Sequence, residues 1–268
     1  MTQVVASIPQ YKRHVGKIME GSSTDKPWLF RGQGDANWRL QSTLERALEV
    51  QADDSLNAGT KRLESRMSLQ AQTVWALKLK GQAGPWSEIA DGLDPDTHAT
   101  EDELSEAFLR LHPCHGLESV FPNASSMISL RHHGVPSPFL DFTSNYLIAF
   151  YFALSSAPLC AEKARVFVVQ EREIVVYGSG GDCRVNFYVT HHRDLNSDIS
   201  LRHKSQEGNY IFASNGELGY PLRSFEEWWM GQALNVSEID IDLANKHELL
   251  AELSEVEGIN ANYLNLSA

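Results

Sequence analysis

Arg131-His-His-Gly-Val-Pro-Ser-Pro-Phe-Leu-Asp-Phe-Thr-Ser-Asn-Tyr-Leu-Ile-Ala-Phe-Tyr-Phe-Ala153 changes physical character three times within one short run. Gly134 frees the backbone while Pro136 and Pro138 fix φ and forbid a helix, so the run opens as a loop or extended chain. A polar knot, Asp141-Phe-Thr-Ser-Asn145, comes next, and its Thr143, Ser144 and Asn145 are residue types that cap helices. The segment beyond it, with Leu147, Ile148, Phe150, Tyr151 and Leu154, is apolar almost all round, which predicts a helix buried inside a larger core. A buried helix that starts in hydroxyl and amide side chains has two readings. Thr143 or Ser144 caps a core helix, or the helix N-terminus, with its unpaired N–H groups, holds an anion or a nucleotide.

Outward from this helix the chain alternates sheet-forming and helical stretches. Tyr11 to Met19 has helical residue types, and we assign residues 1–26 to an N-terminal helical segment and its loop. Trp28-Leu-Phe-Arg31 reads as a strand that stops at Gly32, with Gln33 to Asn37 as a turn. Between about residues 51 and 120 lies a helical insertion, in which Leu63, Met67, Ala71, Trp75 and Leu79 recur at helical intervals. Ala164 to Gln170, Glu173 to Tyr177 and Val185 to Thr190 are rich in β-branched and apolar residues and predict strands. Gly208 leads into a further strand, with Tyr210 and Phe212 on one face and Glu207, Asn209 and Ile211 on the other unless a bulge intervenes. The tail from 237 to 257 has helical periodicity, burying Leu243, Leu249, Leu250 and Leu253 and ending at Gly258. The expected architecture is a single α+β domain over residues 1–268, its sheet core drawn from 27–50 and 121–235.

Composition bounds the function. The 268 residues, 42% of them hydrophobic, suffice for a substantial core. The 23 basic and 35 acidic residues leave a formal charge of −12, which disfavours broad attraction to nucleic acid or anionic membranes. Nucleic acid would be held only through a local basic patch, for which Arg13, Arg39, Arg46 and Arg131 are the candidates. Cys114, Cys160 and Cys183 are too scattered for a disulfide framework, the opening residues lack the basic start and apolar run expected of a signal peptide, and no run approaches the length needed to span a bilayer. A cytoplasmic protein is expected. His112-Pro-Cys-His115 has no second ligand pair at zinc spacing, and the adjacent pairs His132, His133 and His191, His192 would each send their two side chains opposite ways in a strand, so no metal site is assigned. Arg31, at a strand end beside Gly32, has the fork geometry that grips phosphate, although a surface ion pair is the blander use of an arginine.

Phe30-Arg-Gly-Gln33 with Trp38, Leu40, Leu44 and Arg46; His133-Gly-Val-Pro136 with Leu140-Asp-Phe-Thr143 and Ala149 to Ala153; Arg202 with Ser205-Gln-Glu-Gly208 and Phe212; and Lys246 through Gly258-Ile259 occur in the order of a known signature. Over roughly residues 27 to 266 the chain resembles the FRG domain family, named for its Phe-Arg-Gly motif. Its departures are local: the family more often has Gln at Arg131, Thr-Arg at Ser137-Pro138, Trp at Phe142 and a second Gln at Glu207.

The family's layout in turn resembles the ADP-ribosyltransferase fold, a split mixed or antiparallel sheet that surrounds NAD. That resemblance implies NAD as substrate and no metal. It sets Arg31, Gly32 and Gln33 beside the phosphates or ribose, with Asp141, Thr143 and Ser144 completing the cofactor contacts and Thr143 and Ser144 on the nicotinamide side. Glu207 or Gln206 is the third, catalytic element. Cleaving the nicotinamide–ribose bond makes an oxocarbenium-like centre, so a carboxylate at Glu207 would stabilise the charge, whereas Gln206 in its place would favour binding without transfer. Two readings follow: a toxin or anti-phage defence transferase acting on a protein or nucleic acid, controlled by an antitoxin or chaperone, or a non-catalytic nucleotide-binding or interaction module, in which Arg31, Asp141 and Thr143 bind a nucleotide or merely stitch strands together.

Overall fold

A computed structural model of the chain describes residues 2–21, 26–43, 46, 139–170, 185–191, 204–215 and 236–266, with side chains described outside 185–191 and 212–215. The helical insertion at 51–120, the residues before Phe139 in the opening stretch, and the strand expected at 173–177 lie outside them.

The described strands form one seven-stranded sheet. In chain order they are β1 (Gln3–Val5), β2 (Trp28–Gln33), β3 (Leu140–Thr143), β4 (Lys163–Gln170), β5 (Val185–His191), β6 (Gly208–Asn215) and β7 (Val236–Asp242), and across the sheet the order is β1-β7-β4-β2-β3-β6-β5. Only the β1–β7 pair is parallel among these neighbours, so the sheet is mixed and the fold is α+β. Three helices are described: α1 (Ile8–Glu20), α2 (Tyr146–Ser155) and α3 (Lys246–Val256). None is long and apolar enough to cross a membrane.

Helix α2 occupies the centre. Leu147 to Tyr151, Ala153 and Leu154 are all buried, as its unbroken apolar surface requires. It packs with Tyr11 and Val15 of α1, Leu249 and Leu253 of α3, and the inward residues Phe30, Val166, Val168, Ile239 and Ile241 of the sheet. Tyr11 is fully buried, stacks on Phe150 with ring centroids 4.5 Å apart, and donates its hydroxyl to the Tyr146 carbonyl at 2.8 Å. Burial, with Tyr146 adding to it, pushes the Tyr11 phenol well above the ordinary tyrosine range.

Two expected boundaries are corrected. The N-terminal segment is not helical throughout: Gln3 to Val5 pair with Ile239 to Ile241 of β7, and Ser7 then caps α1 by accepting from the Gln10 amide. The tail is not a single helix from 237 to 257, because residues 236–242 form β7 and the helix is α3. Ile239, Asp240 and Ile241 are all buried, the two isoleucines in the hydrophobic core and Asp240 between them on the other face of the strand. Asp240 and Glu238 are accommodated because Arg165, opposite Asp240 on β4, pairs with both at 2.8 and 2.9 Å. Helix α3 ends as expected at Gly258, which takes φ +70° while the Glu257 and Ile259 N–H groups both reach back to the Leu253 carbonyl, at 3.2 and 3.0 Å.

Candidate functional site

Strands β2 and β3 share one register pair, Phe30 with Thr143, whereas β2 and β4 pair along all six residues of β2. Beyond Phe30 the two strands therefore separate, and a cleft of about 520 Å³ lies there, a size suited to a small organic ligand. Where the ladder is missing, the Arg31 guanidinium bridges the gap, its Nη1 donating to the Asp141 carbonyl at 2.7 Å. Arg31 thus reaches across the split from β2 to β3.

Three remote segments meet here. Arg31, Gly32 and Gln33 line the cleft from β2, Asp141 and Thr143 from β3, and Gln206 and Gly208 from the turn entering β6. The half-buried Arg31 stands beside the buried Gln33, whose amide donates to the Trp38 carbonyl at 3.1 Å. Thr143, 4% exposed, donates its hydroxyl to the Gln206 carbonyl at 2.7 Å and accepts from Asn145 N–H at 3.1 Å, tying β3 to the turn before β6.

Gly32 faces α2. A side chain on it would place Cβ 2.0 Å from the Ala149 carbonyl oxygen and 2.6 Å from Ala153 N, so the glycine lets helix and strand backbones touch. Gly34 does the same against the Ser156 carbonyl at 2.3 Å. The room that the sequence offers beside Arg31 is filled by helix backbone at these two glycines.

The polar knot has a different division of labour from the one expected. Asn145, not Thr143 or Ser144, caps α2, its Oδ1 accepting from Leu147 N–H at 3.0 Å and Ile148 N–H at 3.4 Å. Those two amides are then taken up by the cap, and Ala149 N–H bonds the Asn145 carbonyl, so these three N–H groups of the first turn have partners within the chain. Exposed Ser144 accepts from Asn209 Nδ2 at 2.8 Å and is not among the residues lining the cleft.

Glu207 takes φ +46°, outside the extended region, and so does not follow the alternation of β6. Its N–H closes a turn on the Lys204 carbonyl at 3.2 Å. Its Oε1 accepts from Asn145 Nδ2 at 3.1 Å, and it does not line the cleft, whereas Gln206 does. Gln206 Nε2 donates to the Leu264 carbonyl at 3.2 Å.

The cleft also contains residues that the reading of site chemistry passed over. Trp38 lines it and is 46% exposed, and Arg46, Phe142, Phe152 and Tyr210 line it too. The sequence placed Trp38 only in a family signature and Arg46 in that signature and in a candidate basic patch, and an exposed aromatic has no pattern that separates it from a core one. Among the described lining residues the charged ones are Arg31, Arg46 and Asp141, so the cleft is locally positive in a chain of formal charge −12. No group of three His, Cys, Asp or Glu side chains that could hold a metal occurs among the described residues.

A family model for the FRG domain matches residues 26–159, half of the chain. The chain belongs to the FRG domain family. The match carries β2, β3 and α2, the parts of the FRG domain that place Arg31, Asp141 and Thr143, while Gln206 and Glu207 lie beyond it. No curated protein and no solved structure matches the chain.

Proposed function

We propose that this FRG domain binds a nucleotide-type anion in the cleft between β2 and β3, with NAD the first ligand to test, and that binding is not followed by transfer. The observation that carries this reading is the placement of two adjacent residues: Gln206 lines the cleft while the Glu207 carboxylate bonds the Asn145 cap. An arginine pair supplies attraction for phosphate, and the volume suits a small ligand, but an oxocarbenium-like transition state needs a negative group that the Glu207 position does not provide. A second reading, NAD-dependent ADP-ribosyl transfer in a toxin or defence role, is favoured by one observation: Arg31, Thr143 and Gln206 come from remote segments in the order that resemblance implies and line one cleft.

Purified protein incubated with nicotinamide-labelled NAD separates the two. Binding without transfer gives a saturable rise in melting temperature, equivalent to about 2.7 kcal/mol at a ligand concentration a hundred times Kd, with no nicotinamide released. Arg31→Ala should abolish the rise. Nicotinamide release that Glu207→Ala removes would replace this reading with the transferase, and no response to NAD or other nucleotides would leave the cleft without a nucleotide role.

A further inference from the structure

We infer that Trp38 is a stacking platform for the flat ring of the ligand, so that the cleft takes a nucleobase-bearing phosphate rather than a phosphate or phosphosugar alone. The inference rests on the nucleotide-binding reading above and narrows it to the class of ligand.

The backbone that carries Trp38 is held from several sides. Trp38 N–H bonds the Asp35 carbonyl at 3.1 Å, and the Trp38 carbonyl accepts from Gln33 Nε2 at 3.1 Å, so both of its main-chain polar groups are engaged. Within the same turn Asp35 Oδ1 accepts from Asn37 N–H at 2.8 Å, and Ala36 N–H bonds the Lys163 carbonyl of β4 at 2.9 Å. Gly34, packed on the backbone of Ser156 and Ala157, fixes the start of the turn against the end of α2. Trp38 is 46% exposed and lines the cleft.

A half-uncovered ring on a fixed stretch of backbone loses less conformational entropy when a second ring covers it than one on a free loop, which favours a stacking site. Arg31 and Arg46 line the same cleft, so one ligand can present a π-face to the indole and its phosphates to the guanidinium groups. A nucleotide offers both parts; inorganic phosphate or pyrophosphate offers one. Gln33 links the two halves of the site, because it follows Arg31 on β2 and its amide secures Trp38.

Calorimetric titration of ADP and of pyrophosphate into the wild-type chain, Trp38→Ala and Trp38→Phe tests this. The wild type should bind ADP at least tenfold more tightly than pyrophosphate, Trp38→Ala should erase most of that gap, and Trp38→Phe should keep most of it. Melting temperatures of both variants should match the wild type, since the ring is exposed. Overturning results are an equal affinity of the wild type for the two ligands, or a gap that survives in Trp38→Ala. If neither ligand binds, the nucleotide reading of the cleft falls and this inference with it; if ADP binds and Trp38→Ala has no effect, only the stacking role falls.

Discussion

Replacing Gly32 by alanine asks whether the gap beside Arg31 exists for a ligand or for the helix. The added Cβ would lie 2.0 Å from the Ala149 oxygen and 2.6 Å from Ala153 N, and both are backbone atoms that no rotamer change can move aside. Restoring an ordinary 3.4 Å separation from Ala149 means withdrawing α2 from β2 by about 1.4 Å. That helix is the most enclosed in the described fold, so the displacement disturbs contacts with α1, α3 and the sheet together. Overpacking of a close-fitted core costs about 1–3 kcal/mol, and a clash of backbone on backbone belongs at the upper end. For a chain of this size about 3 kcal/mol corresponds to a fall of about 6–12 °C in melting temperature. The matched control is Gly16→Ala in the middle of α1, where nothing lies within 4 Å of the new Cβ and the gain in helix propensity is about 1 kcal/mol, a rise of about 2–4 °C. Thermal melts without ligand measure both. Gly32→Ala melting within about 1 °C of the wild type while losing nucleotide binding would refute the packing role and assign the gap to the ligand.

Two further outcomes follow from the same geometry. Thr143→Val keeps the shape but removes both the bond to the Gln206 carbonyl and the acceptor for Asn145 N–H at a buried position, which should cost about 2 kcal/mol in urea denaturation; an unchanged midpoint would mean that β3 and the 206–208 turn are held by other contacts. Tyr11→Phe should cost about 1 kcal/mol at neutral pH through the lost bond to the Tyr146 carbonyl. Because burial raises the folded-state pKa of Tyr11, its contribution is complete below the unfolded value of about 10 and is lost as pH climbs from there, so the wild-type advantage should shrink above about pH 10 in denaturation curves collected from pH 7 to 11, and a constant difference would contradict the buried phenol.

What could be read from the sequence was what local pattern determines. The apolar run after Asn145 announces α2, and the β-branched runs announce β4 and β5, because each carries its own periodicity and composition. Strand β7 was hidden by its acidic residues, which are poor strand formers; it is sustained by Arg165 on a strand about seventy positions earlier, a partner no local window contains. The pairing of β1 with β7 joins segments more than two hundred positions apart and has no local sign at all. At the site, Arg31 was legible from residue type and its neighbouring glycine, but the reason for that glycine was not, since the sequence does not say which backbone comes close.

The arrangement around Glu207 shows why the chemistry of the third element could not be settled by motif. In an extended strand Gln206 and Glu207 would point to opposite faces, and either could be the one turned toward the cleft. A left-handed φ on a glutamate breaks that alternation, and such a conformation persists only where surrounding bonds over-determine it. Here they do: the Glu207 carbonyl accepts from Ser144 N–H and from Asn209 Nδ2, its N–H closes the turn on Lys204, and its carboxylate receives the Asn145 amide. The same Asn145 residue caps α2 through its Oδ1, so one asparagine joins the helix start to the turn. Moving the carboxylate into the cleft would break its bond to the cap amide. The turn therefore holds Glu207 against the helix and leaves Gln206 among the residues lining the cleft, the arrangement on which the proposal of binding without transfer rests.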